Sequence, residues 1–210
     1  WQINDLDDLQ YLSEHNTYWG DYFVQTADID ASDTQNWNDG DGFSPIGTYD
    51  NNFTGSYNGK YNDERKTISN LTINRPSDHY IGLFGYCSSP EISNVSLVNV
   101  NIDGSSSVGG LIGEIQVGGS VRYCYSTGTV DALQYAGGLI GFGSSIVIEE
   151  CYSECNVTSS VAGGLLGVYS GSVSDCYATG SVNEEMMEMA SGGLIGDCGD
   201  SQITNCYSSG

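Results

Sequence analysis

Three sets of side chains in this 210-residue sequence have the types and spacing to bind something or to react. The first is acidic. Asp28, Asp30, Asp33, Asn38, Asp39 and Asp41 crowd one segment, and Asn38-Asp39-Gly40-Asp41-Gly42 sets carboxylates on a Gly-bearing turn. Hard oxygen donors on such a turn suit Ca²⁺, which makes Asp28, Asp30, Asp39 and Asp41 the candidate ligands. The spacing does not match a full EF-hand loop, and a solvated acidic loop is the alternative. The second set is aromatic. Tyr125, Tyr152, Tyr177 and Tyr207 each directly follow a cysteine. Neighbouring side chains of a strand point to opposite faces, so these tyrosines would form an outer column. That column either stacks on itself and stiffens the chain or offers a strip to a sugar or another surface. The third set is the cysteines. Cys124, Cys151, Cys176 and Cys206 fall where Leu71 and Val95 stand in earlier units, and free cysteine behaves as a small buried hydrophobe. Stacked neighbours would lie ~4.8 Å apart at Cα, within disulfide reach, but parallel Cβ vectors make such bridges strained. Cys87 and Cys198 share a place several coils apart, and Cys155 has no partner in register. Zinc needs a close cluster, and only Cys151 and Cys155 are near each other.

Catalysis finds little support. The sequence holds no H-E-x-x-H and no G-x-S-x-G. His15 and His79 fall in capping or loop segments without a triad context. The expectation is therefore a non-catalytic chain, with a carbohydrate-active enzyme as the alternative, because a glycosidase needs only two carboxylates. The net charge is −22, from 27 acids against five bases, which repels phosphate backbones and argues against nucleic-acid binding. No stretch reaches the ~20 apolar residues of a membrane helix.

The elements that position these side chains follow from an internal repeat. Gly-Leu-(Ile/Leu/Phe)-Gly begins at Gly82, Gly110, Gly138, Gly164 and Gly193, at intervals of 28, 28, 26 and 29. A second motif alternates with it: Ile68-Ser-Asn-Leu71, Ile92-Ser-Asn-Val95, Val121-Arg-Tyr-Cys124, Ile148-Glu-Glu-Cys151, Val173-Ser-Asp-Cys176 and Ile203-Thr-Asn-Cys206. The apolar pieces are short and rich in Val, Ile and Leu, and Gly, Ser, Asn and Asp separate them, which specifies strands and turns. A single unit cannot hide its own apolar face; stacked units can. The fold class is all-β: a parallel β-solenoid, right-handed by the crossover rule, with a β-propeller as the rival. Leu83, Leu111, Leu139, Leu165 and Leu194 form one inner column. The glycines allow φ > 0 and close approach of stacked backbones. Residues 1–20 form an N-terminal cap, with a short helix over 4–16 started by Asn4 or Asp5. Residues 21–79 form atypical first coils, with strands at Tyr22–Asp30 and Phe53–Tyr57, and residues 80–210 form the regular repeats. Asn183–Met189 lengthens one unit as a loop. The last motif stops in mid-unit, which implies either further repeats beyond it or a second subunit stacked head to tail.

The Gly-Leu-Ile-Gly units with their Cys-Tyr-Ser partners resemble the GLUG repeats of bacterial and archaeal surface proteins over residues 80–210. Tyr22–Asp30, Phe43-Ser-Pro-Ile-Gly47, Phe53–Gly59 and Ile68–Ile73 resemble the section that precedes such repeats. The resemblance implies a large secreted or surface-anchored protein, often an adhesin, that meets a host or environmental surface or a glycan. Some relatives carry a metallopeptidase domain elsewhere; no peptidase motif occurs in this sequence. Sequons stand at Asn52, Asn70, Asn94 and Asn156.

Overall fold

In the computed structural model, which describes residues 1–184 and 190–210, the chain winds into a β-solenoid of about 5 turns. The strands of neighbouring coils pair in parallel. One antiparallel hairpin, Lys60–Tyr61 with Glu64–Arg65, stands outside the winding.

Each coil contributes one residue to each of several inner columns. Phe84, Ile112, Ile140, Leu166 and Ile195 make the first. Tyr57, Ile92, Val121, Ile148, Val173 and Ile203 make the second. Ile73, Ile102, Val130, Val157 and Val182 line the far side. The expected leucine column is real. Leu111, Leu139 and Leu165 donate backbone N–H bonds to Leu139, Leu165 and Leu194 in turn, each 2.9 Å. Leu83, Leu111, Leu139 and Leu165 are fully buried, and Leu194 is partly buried. Burying each such leucine stabilises the stack by roughly 1.5–3 kcal/mol.

Five residues turn the corner before the next strand in the left-handed region: Asn94, Tyr123, Glu150, Asp175 and Asn205, with φ from 51° to 57°. Each directly precedes Val95 or a ladder cysteine. The polar residue in the second motif is therefore the turn residue that sends the chain from one face to the next.

Of the two causes expected for the motif glycines, one applies. Their φ angles are not positive; the positive-φ glycines lie elsewhere, at Gly118, Gly119 and Gly128 among others. Close approach is the reason. A methyl group on Gly138 would strike the Gly164 carbonyl and Ser153 Oγ, and one on Gly110 would meet the Ser126 Cβ at 2.9 Å. Gly164 faces Ala178 and Gly193 faces Ser208 in the same way. The serine of each Cys-Tyr-Ser thus packs across the coil interior on the first glycine of Gly-Leu-x-Gly, and both must be small.

Helix α1 runs from Leu6 to Glu14. Asp5 caps it by accepting from the Asp8 backbone N–H at 2.9 Å. Leu9 and Leu12 are buried, and Trp19 ties the helix end down by donating from Nε1 to the Leu12 carbonyl at 2.8 Å. The first strand is not Tyr22–Asp30: Gln2–Ile3 precedes the helix and pairs with Val24–Gln25. The Tyr22–Asp30 stretch itself is broken into Tyr22–Gln25 and Ile29–Asp30, which lie on different faces. The strand near Phe53 is Ser56–Asn58; Phe53 makes only an isolated bridge to Cys87.

One register assignment needs correction. Ile68 does not lie over Ile92. It pairs with Leu97, in the column of Ser126 and Ser153. Leu71 accordingly leaves the cysteine column. It stands beside Val100, whose column continues through Gly128 to Cys155. The Lys60–Arg65 hairpin carries the chain past one corner before the Ile68 motif begins. Of Asn183–Met189, the first two residues end the strand Val182–Glu184; residues 185–189 lie outside the described residues.

Candidate functional site

The tyrosine column is present and regular. Successive ring centroids of Tyr125, Tyr152, Tyr177 and Tyr207 are 4.7, 4.7 and 5.1 Å apart, with planes within 3° to 6° of parallel. That repeat equals the spacing of stacked strands, so the backbone sets the stacking distance. The register pairs Tyr125 with Tyr152, Tyr152 with Tyr177, and Tyr177 with Tyr207. Each tyrosine N–H donates to the Val95 or cysteine carbonyl one coil away, at 3.0 to 3.2 Å.

The column ends against a cation. In the next coil the equivalent residue is Ser96, which is buried. Into the room left by its small side chain the Lys60–Arg65 hairpin brings Arg65, whose guanidinium carbon lies 5.8 Å from the Tyr125 ring centroid. A guanidinium over an aromatic face is attracted by the ring quadrupole. Sequence reasoning missed this contact, because no spacing rule links Arg65 to a tyrosine sixty positions on. Burial raises the Tyr152 phenol to about 12, and its neighbours Tyr125, Tyr177 and Glu154 push the same way. Burial first, then Glu154 and Tyr207, also raises Tyr177. Tyr152 and Tyr177 therefore stay neutral at ordinary pH. A shallow depression of about 560 Å³ lies beside them, lined by Glu150, Cys151, Tyr152, Asp175 and Tyr177.

Behind the tyrosines runs the cysteine ladder. Cys124, Cys151 and Cys176 are buried, and Cys206 is partly so. The backbone N–H groups of Cys124 and Cys151 each point at the sulfur of the next cysteine, at 3.4 Å. All seven cysteines are free thiols. Cys155 lies in register with Gly128, which is not a cysteine. Cys87 and Cys198 share one column through Ile115, Gly143 and Tyr169.

The acidic candidates are not brought together. Asp28 accepts from Thr67 N and Oγ1, at 2.8 and 3.1 Å. Asp30 accepts from Ser32 N and Asn70 Nδ2, both at 3.0 Å, and Asn70 chiefly holds its carboxyl below the usual range. Asp39 and Asp41 sit on a separate turn, where the Asp41 carbonyl accepts from Asn74 N at 2.9 Å. Among the described residues no three His, Cys, Asp or Glu side chains are grouped to hold a metal ion. Asp28 and Asp30 instead pin the first coils to the strand Thr67–Ser69 and the Asn70 corner that follows it. His79 lies in the strand Thr72–Ile81 and not in a loop. His15 stacks on Tyr11, with centroids 3.8 Å apart.

The GLUG motif family model matches residues 104–131 and 158–183. Asp103 pairs with Asp131, and Thr158 with Asn183, so each matched segment is close to one full coil. The chain is a GLUG-repeat protein. Over 145 residues, 67% of its length, it is 37% identical to Halomucin of Haloquadratum walsbyi (strain DSM 16790 / HBSQ001), and it spans about 2% of that protein. The GLUG coils also share a fold with a solved chain from Bacteroides ovatus described as a candidate immunoglobulin A1 protease. The TM-score is 0.51 at 17% identity, covering 100% of this chain and 84% of that one. At that identity the likeness is one of architecture alone. Among the described residues no helix is long and apolar enough to cross a membrane.

Proposed function

We propose that this chain is a non-catalytic stretch of stalk in an extracellular surface protein, where it spaces and presents adhesive elements. The observation that carries the reading is the unbroken stack: leucine, cysteine and tyrosine columns run in register through successive coils, with the tyrosine column turned outward. Such a stack transmits force along its axis through parallel strand pairing, and its outer face repeats one chemistry at every coil. The GLUG repeats and the Halomucin relative support a surface protein. Contact with a glycan or with another surface is the role in keeping with that setting.

The test is antibody labelling of this segment on intact, non-permeabilised cells that make the full protein. Labelling should be as strong as after permeabilisation. A signal that depends on permeabilisation would overturn the reading.

A further inference from the structure

The first coils depart from the repeat in two places that meet. On one face Ile46 bridges Phe84 and Phe53 bridges Cys87. Seven positions separate the first pair of residues where three separate the second, so the segment 47–52 is looped out. At another corner Arg75 pairs with Gly104 and His79 with Ser106. There Pro76, Ser77 and Asp78 bulge where the coil below has a single residue. The stack requires neither insertion. Both open onto one cavity of about 490 Å³, whose wall includes Ser44, Thr48, Tyr49, Arg75, Asp78 and Tyr80. That volume is typical of small-ligand sites.

The cavity joins an aromatic platform to a polar wall. Tyr49 is 65% exposed, yet its ring is held: it stacks 6.1 Å from Tyr80 at 16° and meets Tyr86 edge-on at 5.4 Å. Tyr80 has φ 63°, a conformation that Ser107 repeats in the coil below with φ 54°. A small residue satisfies that backbone, so the stack does not demand a tyrosine there. The 47–52 loop braces itself, with Thr48 N donating to the Asn51 carbonyl at 2.7 Å and Asn51 N donating to Thr48 Oγ1 at 3.2 Å. In the polar wall Arg75 donates to the Phe43 carbonyl at 3.4 Å and to Ser44 Oγ at 3.2 Å, and pairs with Asp78 at 3.5 Å. Its guanidinium is thereby fixed beside a carboxylate that is 57% exposed.

We infer that this pocket is a saccharide-binding site. The open face of Tyr49 takes the C–H face of a pyranose ring, and the fixed Arg75–Asp78 donor–acceptor pair takes adjacent hydroxyls. A cluster that only fastened the loop would bury Tyr49. A cationic ligand would suit the rings but meets Arg75, one of only five bases in the chain. The site is distinct from the tyrosine ladder and does not depend on the stalk reading.

The probe is a panel of methyl hexopyranosides, read by saturation-transfer difference NMR on the whole chain. At least one glycoside should receive saturation on its ring protons. Its affinity should fall at least about tenfold in Tyr49→Ala, the loss of one stacking contact. Asp78→Asn, on an exposed bulge, should lower affinity similarly without touching the aromatic packing, and Tyr152→Ala in the ladder should bind as the unaltered chain does. Absence of transfer to every glycoside overturns the inference. So does undiminished binding by Asp78→Asn, or equal loss in Tyr152→Ala. None of these outcomes bears on surface labelling, which tests the stalk separately.

Discussion

At the level of single residues, burial decides what the repeated side chains can do. The phenol of Tyr152 is raised to about 12 in the fold, against ~10 in an unfolded chain. Between those values the native state keeps a proton that the unfolded state has lost. The Tyr152 contribution to stability is therefore complete below about pH 10 and drains away as pH rises through about 12. The melting temperature should fall across that window, and Tyr152→Phe should flatten the fall; an unchanged pH profile in the variant would remove the ladder as its cause. The thiols obey the same logic. Burial raises the Cys87 thiol, and a side-chain hydrogen bond between Cys176 and Cys151, together with burial, raises that of Cys176, so neither forms a thiolate readily. Cys198 is exposed. A native chain treated with a thiol reagent should label Cys198 quickly and Cys87, Cys124, Cys151, Cys155 and Cys176 only on unfolding. Mass spectrometry of timed samples checks this, and fast labelling of Cys151 would count against the ladder.

At the level of elements, the coil is thin where Gly-Leu-x-Gly faces Cys-Tyr-Ser. Gly138→Ala places a methyl against the Gly164 carbonyl and Ser153. Overpacking of this kind should cost about 1–3 kcal/mol, measurable as a lowered midpoint in urea denaturation. Gly40, which has nothing within 4 Å of an added Cβ, gives the contrast in packing, although its φ of 99° adds strain of its own. This thinness was half legible in the sequence. The alternation of the two motifs revealed the coil, the leucine column and the outward tyrosines, because all of these follow from local pattern. The partnership of glycine with serine was not legible, since it links different faces of one coil. Neither was the place of Ile68-Ser-Asn-Leu71. It carries the same residue pattern as Ile92-Ser-Asn-Val95, and only the intervening hairpin shifts it onto Leu97. The four acidic candidates Asp28, Asp30, Asp39 and Asp41 divide between two places for a related reason. Spacing placed Asp28 and Asp30 near Asp39 and Asp41, but the chain turns and gives the first two to Thr67, Asn70 and Ser32. The Tyr49 pocket could not be read at all, because it is assembled from insertions that only the register identifies.

For the whole molecule, charge is the dominant imbalance. Each of the five bases is already engaged: Lys60 with Asp63, Lys66 with Glu64, Arg75 with Asp78, Arg122 with Glu149, and Arg65 over Tyr125. Most of the 27 acids consequently repel one another across the surface. Added KCl should raise the melting temperature, with most of the gain complete by about 1 M, where the screening length is ~3 Å. A flat or falling response would mean that self-repulsion contributes little to stability.

The intervals between Val95, Cys124, Cys151, Cys176 and Cys206 are 29, 27, 25 and 30 residues, yet every inner column stays in phase. Among the described residues the surplus is taken up at register shifts, as between Leu97 and Val100 and between Ser144 and Ile146. Whole windings are thus interchangeable parts: one copied or excised at the genetic level lands between neighbours that already fit it. The length of such a rod is then a dial with steps of about 4.7 Å. A lineage can lengthen or shorten its reach by recombination alone, without devising a new interior.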